Sequence, residues 1–292
     1  MKSISLKKGF GIGSLIFAAA AVIALPVRTL QFFTVLENDT GFYSASDWSV
    51  YFLNTAIIAA VLAIFVFGFI KRKKLDYSLE VAKRPGFGIL SITAAAGALA
   101  NAANGIVAFM SATPVSDSET SGASNIILAA QALFALLSAI YFIALGASGL
   151  GGKSNGSEYR LISLAPVLWS IFRIVHRFTR TISYIRVSEL MFEMLMIVFL
   201  ILFFMAFAQV NSQVSGKNNE WKIGAYGLPA ALLALICFVP RFIVTLTGNA
   251  DLLHDQSPIE YCDISNALFI LAAVFTRMTD RLPENNSSGE EA

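Results

Sequence analysis

The residues of this sequence best suited to chemistry cluster in one stretch. Arg173, His176, Arg177 and Arg180 stand at i, i+3, i+4 and i+7, a spacing that puts them on one face of a helix. The next apolar segment opens with Glu189 and Glu193, again at i and i+4. Arg28 and Arg241 lie near the ends of two other apolar segments, and Asp251, Asp255, Glu260 and Asp263 lie just before or within the start of the last. An arginine fork holds a carboxylate or phosphate in two-point contact. The set Arg28, Arg173, His176, Arg177, Arg180, Glu189, Glu193 and Arg241 therefore fits the binding of a small anionic or zwitterionic solute in an outward-facing, arginine-lined, water-filled cavity. Four arginines between 173 and 186 face only Glu189 and Glu193 nearby, which leaves positive charge to be met by solute, lipid or more distant acids. The alternative is structural: Arg–Glu pairs clamp helices together and some arginine heads reach phosphate headgroups. His176, flanked by Arg173 and Arg177, reads as a hydrogen-bonding side chain rather than a proton relay.

Other chemistries find little support. Voltage sensing needs arginines at every third position over several repeats beside a pore segment, and neither occurs. Ala147–Ser154 fits a loose phosphate-loop pattern, but that mechanism needs a preceding strand and a helix N-terminus facing the phosphate. Here the segment follows an apolar helix, so it reads as an inner turn. His254 with Asp251 and Asp255 lacks a nucleophile. The two histidines are too few for a His-based metal site, and Cys237 and Cys262 make no disulfide framework. No catalytic residue, cofactor or metal site is assigned, and nothing points to nucleic acid.

These side chains must be carried by membrane helices. The chain has 292 residues, 56% hydrophobic and 14% charged, with a mean hydropathy of +0.68; a soluble domain carries about a quarter charged residues. The apolar residues fall in long runs, as a bilayer demands. The reading is an all-α polytopic bundle of eight spans over 1–282, at about 10–34, 49–70, 87–111, 124–148, 161–181, 189–210, 223–246 and 259–277, with 283–292 a disordered polar tail. A seven-span version leaves the last segment interfacial. Lys2, Lys7, Lys8 and the apolar run after them mimic a signal peptide, but the apolar pattern continues past Pro26 to Leu36, so an uncleaved first helix is preferred.

Basic residues set orientation. With the N-terminus inside, fifteen of the 21 fall in inner segments, six of them between Lys71 and Arg84, while the outer loops after spans one and three hold only acids: Glu37, Asp39, Asp47, Asp117 and Glu119. Both termini are then cytoplasmic, in a cell membrane. The other six, Arg28, Arg173, Arg177, Arg180, Arg186 and Arg241, fall within or beside the outer half of odd-numbered spans. The spans pair as four hairpins of the same sense, with Gly9-Phe10-Gly11-Ile12 recurring as Gly86-Phe87-Gly88-Ile89; duplication and chance matching of abundant residues both remain open. Pro26, Pro166, Pro229 and Pro240 are candidate kinks. Asn101 and Asn104, on one face with Gly97, suit close helix packing, as do Gln131 and Asn54.

The run Leu164–Arg173 and the triplet Val239-Pro240-Arg241 resemble uncharacterised small multi-span membrane proteins of Gram-positive bacteria. The resemblance implies no activity. The partners that follow from the residues are the lipid bilayer, a small anionic solute and other membrane subunits. A transporter, or the membrane subunit of one, is one functional expectation; a non-catalytic sensor or assembly subunit is the other.

Overall fold

A computed structural model describes residues 3–36, 43, 47–70, 85–111, 119–151, 160–179, 187–211, 221–253 and 260–279. Among the described residues eight α-helices follow one another: α1 (Ser3–Thr34), α2 (Trp48–Ile70), α3 (Pro85–Ser111), α4 (Glu119–Gly151), α5 (Ala165–Thr179), α6 (Val187–Asn211), α7 (Trp221–Leu246) and α8 (Tyr261–Thr279). Six of them, all but α5 and α8, are long and apolar enough to cross a membrane. The chain is on that ground a multi-pass integral membrane protein. The two shorter helices still approach the bilayer's ~30 Å. The 3-10 turn Ile162–Leu164 leads into α5, and the two together extend about 28 Å. The 19 residues of α8 extend about 28 Å as well.

Each consecutive pair, α1/α2, α3/α4, α5/α6 and α7/α8, packs side by side, and the further contacts α3·α8, α4·α5 and α6·α7 join α3 to α8 in a ring. The α1/α2 hairpin lies against α7. In consequence α7 is the most enclosed helix, with 78% of its apolar window buried against 22% for α2. The bundle includes α8, which lies between α3 and α7 with Ala267, Phe269, Ile270 and Ala273 buried; it is not a segment laid on the surface.

Close approach between α3 and α4 depends on glycine. A Cβ on Gly88 would stand 2.9 Å from the carbonyl oxygen of Gly146, so no larger residue fits without parting the two backbones. At the far end of α7, Gly248 adopts a φ of 79°, the left-handed conformation that closes a helix cheaply in glycine. Asp47 caps α2: its Oδ1 accepts from the Ser49 backbone N–H at 2.9 Å, which holds that carboxyl below the usual Asp value.

The sequence expectations need four adjustments here. Pro166 sits in the first turn of α5, where a missing N–H costs nothing, so it starts a helix rather than kinking one; Pro26, Pro229 and Pro240 do lie inside helices. Asn101 is buried but Asn104 is exposed. The residues 147–151 are the last turn of α4, so the phosphate-loop look-alike begins as helix, not as a turn. Asp251 is exposed on the 3-10 turn Ala250–Leu253. The inner basic segment 71–84, the polar tail, Arg180, Arg186, His254 and Asp255 lie outside the described residues.

Gly88→Leu should lower the melting temperature of detergent-purified protein, at a cost of about 1–3 kcal/mol from overpacking. Gly11→Leu, whose Cβ would meet nothing within 4 Å, should leave it unchanged. Equal effects of the two would show that α3 and α4 do not need this contact.

Candidate functional site

Helix α5 is amphipathic in reverse. Its buried face carries Trp169, Ser170, Arg173, His176 and Arg177, while Leu168, Ile171, Val175 and Phe178 point outward. In water that arrangement would be unstable. In a bilayer it is required, because an arginine facing lipid at depth costs about 2.5–3.5 kcal/mol or more.

The buried cations meet carboxylates from other helices. Nη2 of Arg173 lies 2.7 Å from Oε2 of Glu260 and 2.5 Å from Oδ1 of Asp263. Nη2 of Arg177 lies 2.6 Å from Oε1 of Glu260 and 3.7 Å from Oε2 of Glu193. Nη1 of Arg241 donates to Oε1 of Glu193 at 2.5 Å, and its Nη2 lies 3.7 Å from Oε2 of Glu189. Arg28 reaches the other oxygen of Glu189 at 3.6 Å. Three of these acids are each shared by two guanidiniums, and two of those three join different helices through the sharing.

Neutral side chains extend the chain at both ends. On one side, Nη1 of Arg28 donates to Gln31 at 3.1 Å, and Gln31 donates to Ser49 of α2 at 3.3 Å. The Tyr43 hydroxyl donates to Oε1 of Glu189 at 2.5 Å, with its ring 4.9 Å from the Arg28 guanidinium carbon. On the other side, Nδ2 of Asn101 donates to Oε2 of Glu260 at 3.2 Å. Oδ1 of Asn101 accepts from Nε1 of Trp169 at 3.0 Å and from Nε2 of Gln131 at 3.2 Å. From Gln131 on α4 to Ser49 on α2, every one of the eight helices contributes a side chain, α8 through Asp263.

Topology explains why they meet. The polar residues lie late in α1, α3, α5 and α7 and early in α2, α4, α6 and α8, so an alternating bundle brings them to one end. All stand within about 18 Å of that end at 1.5 Å per residue. The opposite half of the core is aromatic: Phe142 meets Phe269 at 5.0 Å, and Phe207 meets Phe269 at 5.4 Å.

Of the sequence-predicted set, Arg28, Arg173, Arg177, Glu189, Glu193 and Arg241 are brought together, and His176 is buried on the same face of α5. Of the arginines in 173–186, Arg173 and Arg177 are described, and they meet Glu260 and Asp263, acids more distant in sequence. Among the described residues the layer balances, four arginines against four carboxylates. Glu189 faces Arg28 and Arg241, whereas the sequence placed it with Arg177 and Arg180. Gln31, Tyr43, Ser49 and Trp169 were missed; no local pattern in the sequence signalled them.

Metal binding is a poor fit. The donor atoms of Glu260, Cys262 and Asp263 lie within 4.8 Å of one another, but Arg173 already occupies the space between the two carboxylates. Cys262 is buried and its thiol faces both of them, at 3.5 and 3.8 Å. Neither Cys262 nor Cys237 is in a disulfide.

Glu193→Gln should destabilise the protein by about 3–5 kcal/mol, because it strands buried cations. Asp251→Asn, on an exposed residue, should change stability by no more than about 0.5 kcal/mol. Parallel melting curves in detergent test this, and coincident curves for the two variants would remove the energetic case for the layer.

The chain matches no protein-family model, no curated protein and no solved structure, so its chemistry rests on the arrangement of these side chains alone.

Proposed function

We propose that the chain is a non-catalytic membrane subunit, a sensor or assembly partner, in which a charge-balanced arginine–carboxylate layer holds eight helices in one register. The observation that carries this is the balance among the described residues: each buried arginine there is met by carboxylates of the same chain, and the pairs run between helices. A site built for a free anion would hold more arginines than acids. Buried ion pairs contribute little net stability compared with apolar packing, and their best-attested use is to fix which elements pair and in what register. The aromatic half of the core supplies the burial, and the polar half supplies the address.

The second reading, a solute-binding or transporting subunit, is favoured by one observation: Glu193 and Glu189 each bridge arginines from two helices. Shared acids can exchange partners. A zwitterion can enter such a layer without leaving a charge uncompensated, whereas a simple anion cannot, so a zwitterionic solute is the better candidate under this reading.

In either reading the layer occupies the outer half of a cell membrane and both termini are cytoplasmic. The support is the distribution of Lys and Arg among the segments. Reporter fusions after Lys74, Lys217 and Ala292 should score cytoplasmic and a fusion after Asp117 external; the opposite pattern would put the layer inside.

The two functional readings part on ligand response. Melting temperature of the wild-type protein against a panel of amino acids, small carboxylates and phosphates should stay within the ionic-strength controls. A saturable rise for one zwitterion, lost in Arg177→Gln protein that still inserts, would put solute binding first.

A further inference from the structure

Glu260 differs from the other three acids of the layer. It precedes α8 rather than lying within a helix, and its side chain is the most exposed of them, at 15% against 10% for Asp263 and 5% for Glu193. Its carboxylate nevertheless ends in a cradle of buried donors. Oε1 receives Arg177 at 2.6 Å; Oε2 receives Arg173 at 2.7 Å and Asn101 at 3.2 Å. The cradle is built independently of its occupant. Two N–H groups, from Trp169 and Gln131, converge on Oδ1 of Asn101 and so turn its Nδ2 donor toward the carboxylate. Arg173 is oriented separately by Asp263. The cradle also holds one donor beyond those Glu260 uses: the buried Nε of Arg173 has no hydrogen-bond partner among the described residues.

A carboxylate caught between two guanidiniums and an amide is what a binding site for a free carboxylate looks like, with the ligand here attached to the chain. We infer that Asn101, Arg173 and Arg177 form a carboxylate-binding site whose tethered occupant is Glu260. Tethering gives Glu260 an effective concentration in the millimolar range or above, so free carboxylates do not compete while it is in place. Removing its side chain vacates the site for a small carboxylate of matching size.

Glu260→Ala removes the heavy atoms of one acetate, so sodium acetate is the probe and sodium chloride at equal ionic strength the control. The melting temperature of the Glu260→Ala protein should rise with acetate concentration, saturably and by about 2–4 °C over chloride for each kcal/mol of binding. Wild-type protein should show no acetate-specific rise. No difference between acetate and chloride in the variant overturns the inference, and so does an equal rise in the wild type. If the variant does not fold in chloride, it is prepared and held in acetate throughout. Protein that stays folded in acetate and unfolds on exchange into chloride supports the site; protein unfolded in both rejects it. None of these outcomes depends on whether the bundle senses, assembles or transports.

Discussion

A charge inside a bilayer has nowhere to go but to an opposite charge. Water is absent, lipid tails offer no partner, and an isolated guanidinium at depth costs several kcal/mol. Arg28, Arg173, Arg177 and Arg241 are each at most 8% exposed, so the positions of the three helices that carry them are constrained by where their acids are. Glu189 and Glu193 come from α6, Asp263 from α8 and Glu260 from the residue before it. To satisfy the four cations, α1, α5, α6, α7 and α8 must present particular faces at one depth. A rotation of α5 by one residue, about 100°, would turn Arg173 and Arg177 away from all of their partners.

That constraint orders the rest of the fold. The reversed amphipathicity of α5 follows from it, with arginines inside and Ile171, Val175 and Phe178 outside. The enclosure of α7 follows too, since Arg241 must be reached from α6 while α1 brings Arg28 to the same acid. Division of labour between the halves of the core lets both terms operate. The Phe142, Phe203, Phe207 and Phe269 cluster excludes polar groups and gives packing. The ion-pair layer gives little net stability but penalises every wrong register.

Much of this was legible in the sequence, because hydropathy and charge spacing report directly on bilayer physics. The helices fall close to the predicted spans, and the i, i+3, i+4 pattern of Arg173, His176 and Arg177 did mark one buried face of α5. Glu193 pairs with Arg177 as antiparallel neighbours with a short link require. The failures are those of long-range contact. No local pattern says that Glu260 and Asp263, more than eighty residues away, answer Arg173, so the sequence alone left that arginine without its acids. Tyr43 was invisible because a loop aromatic has no periodicity, and its bond to Glu189 depends on how two hairpins dock. Asn101 and Asn104 are three residues apart, near the edge of one face, and only packing against α4 and α8 decides that Asn101 is inside.

The central claim is that the arginine–carboxylate pairs couple helices, rather than lying buried side by side with independent costs. A double-mutant cycle on Glu193 and Arg241, which join α6 to α7 at 2.5 Å, measures this directly, with Glu193→Leu, Arg241→Met and the double variant unfolded in the same detergent. Coupling predicts that each single variant is severely destabilised and that the double variant recovers about 1–3 kcal/mol relative to their sum. Additive losses, within about 0.5 kcal/mol, would mean that the pair does not hold the helices together, and the account of the layer as the element that sets the register of the bundle would be wrong.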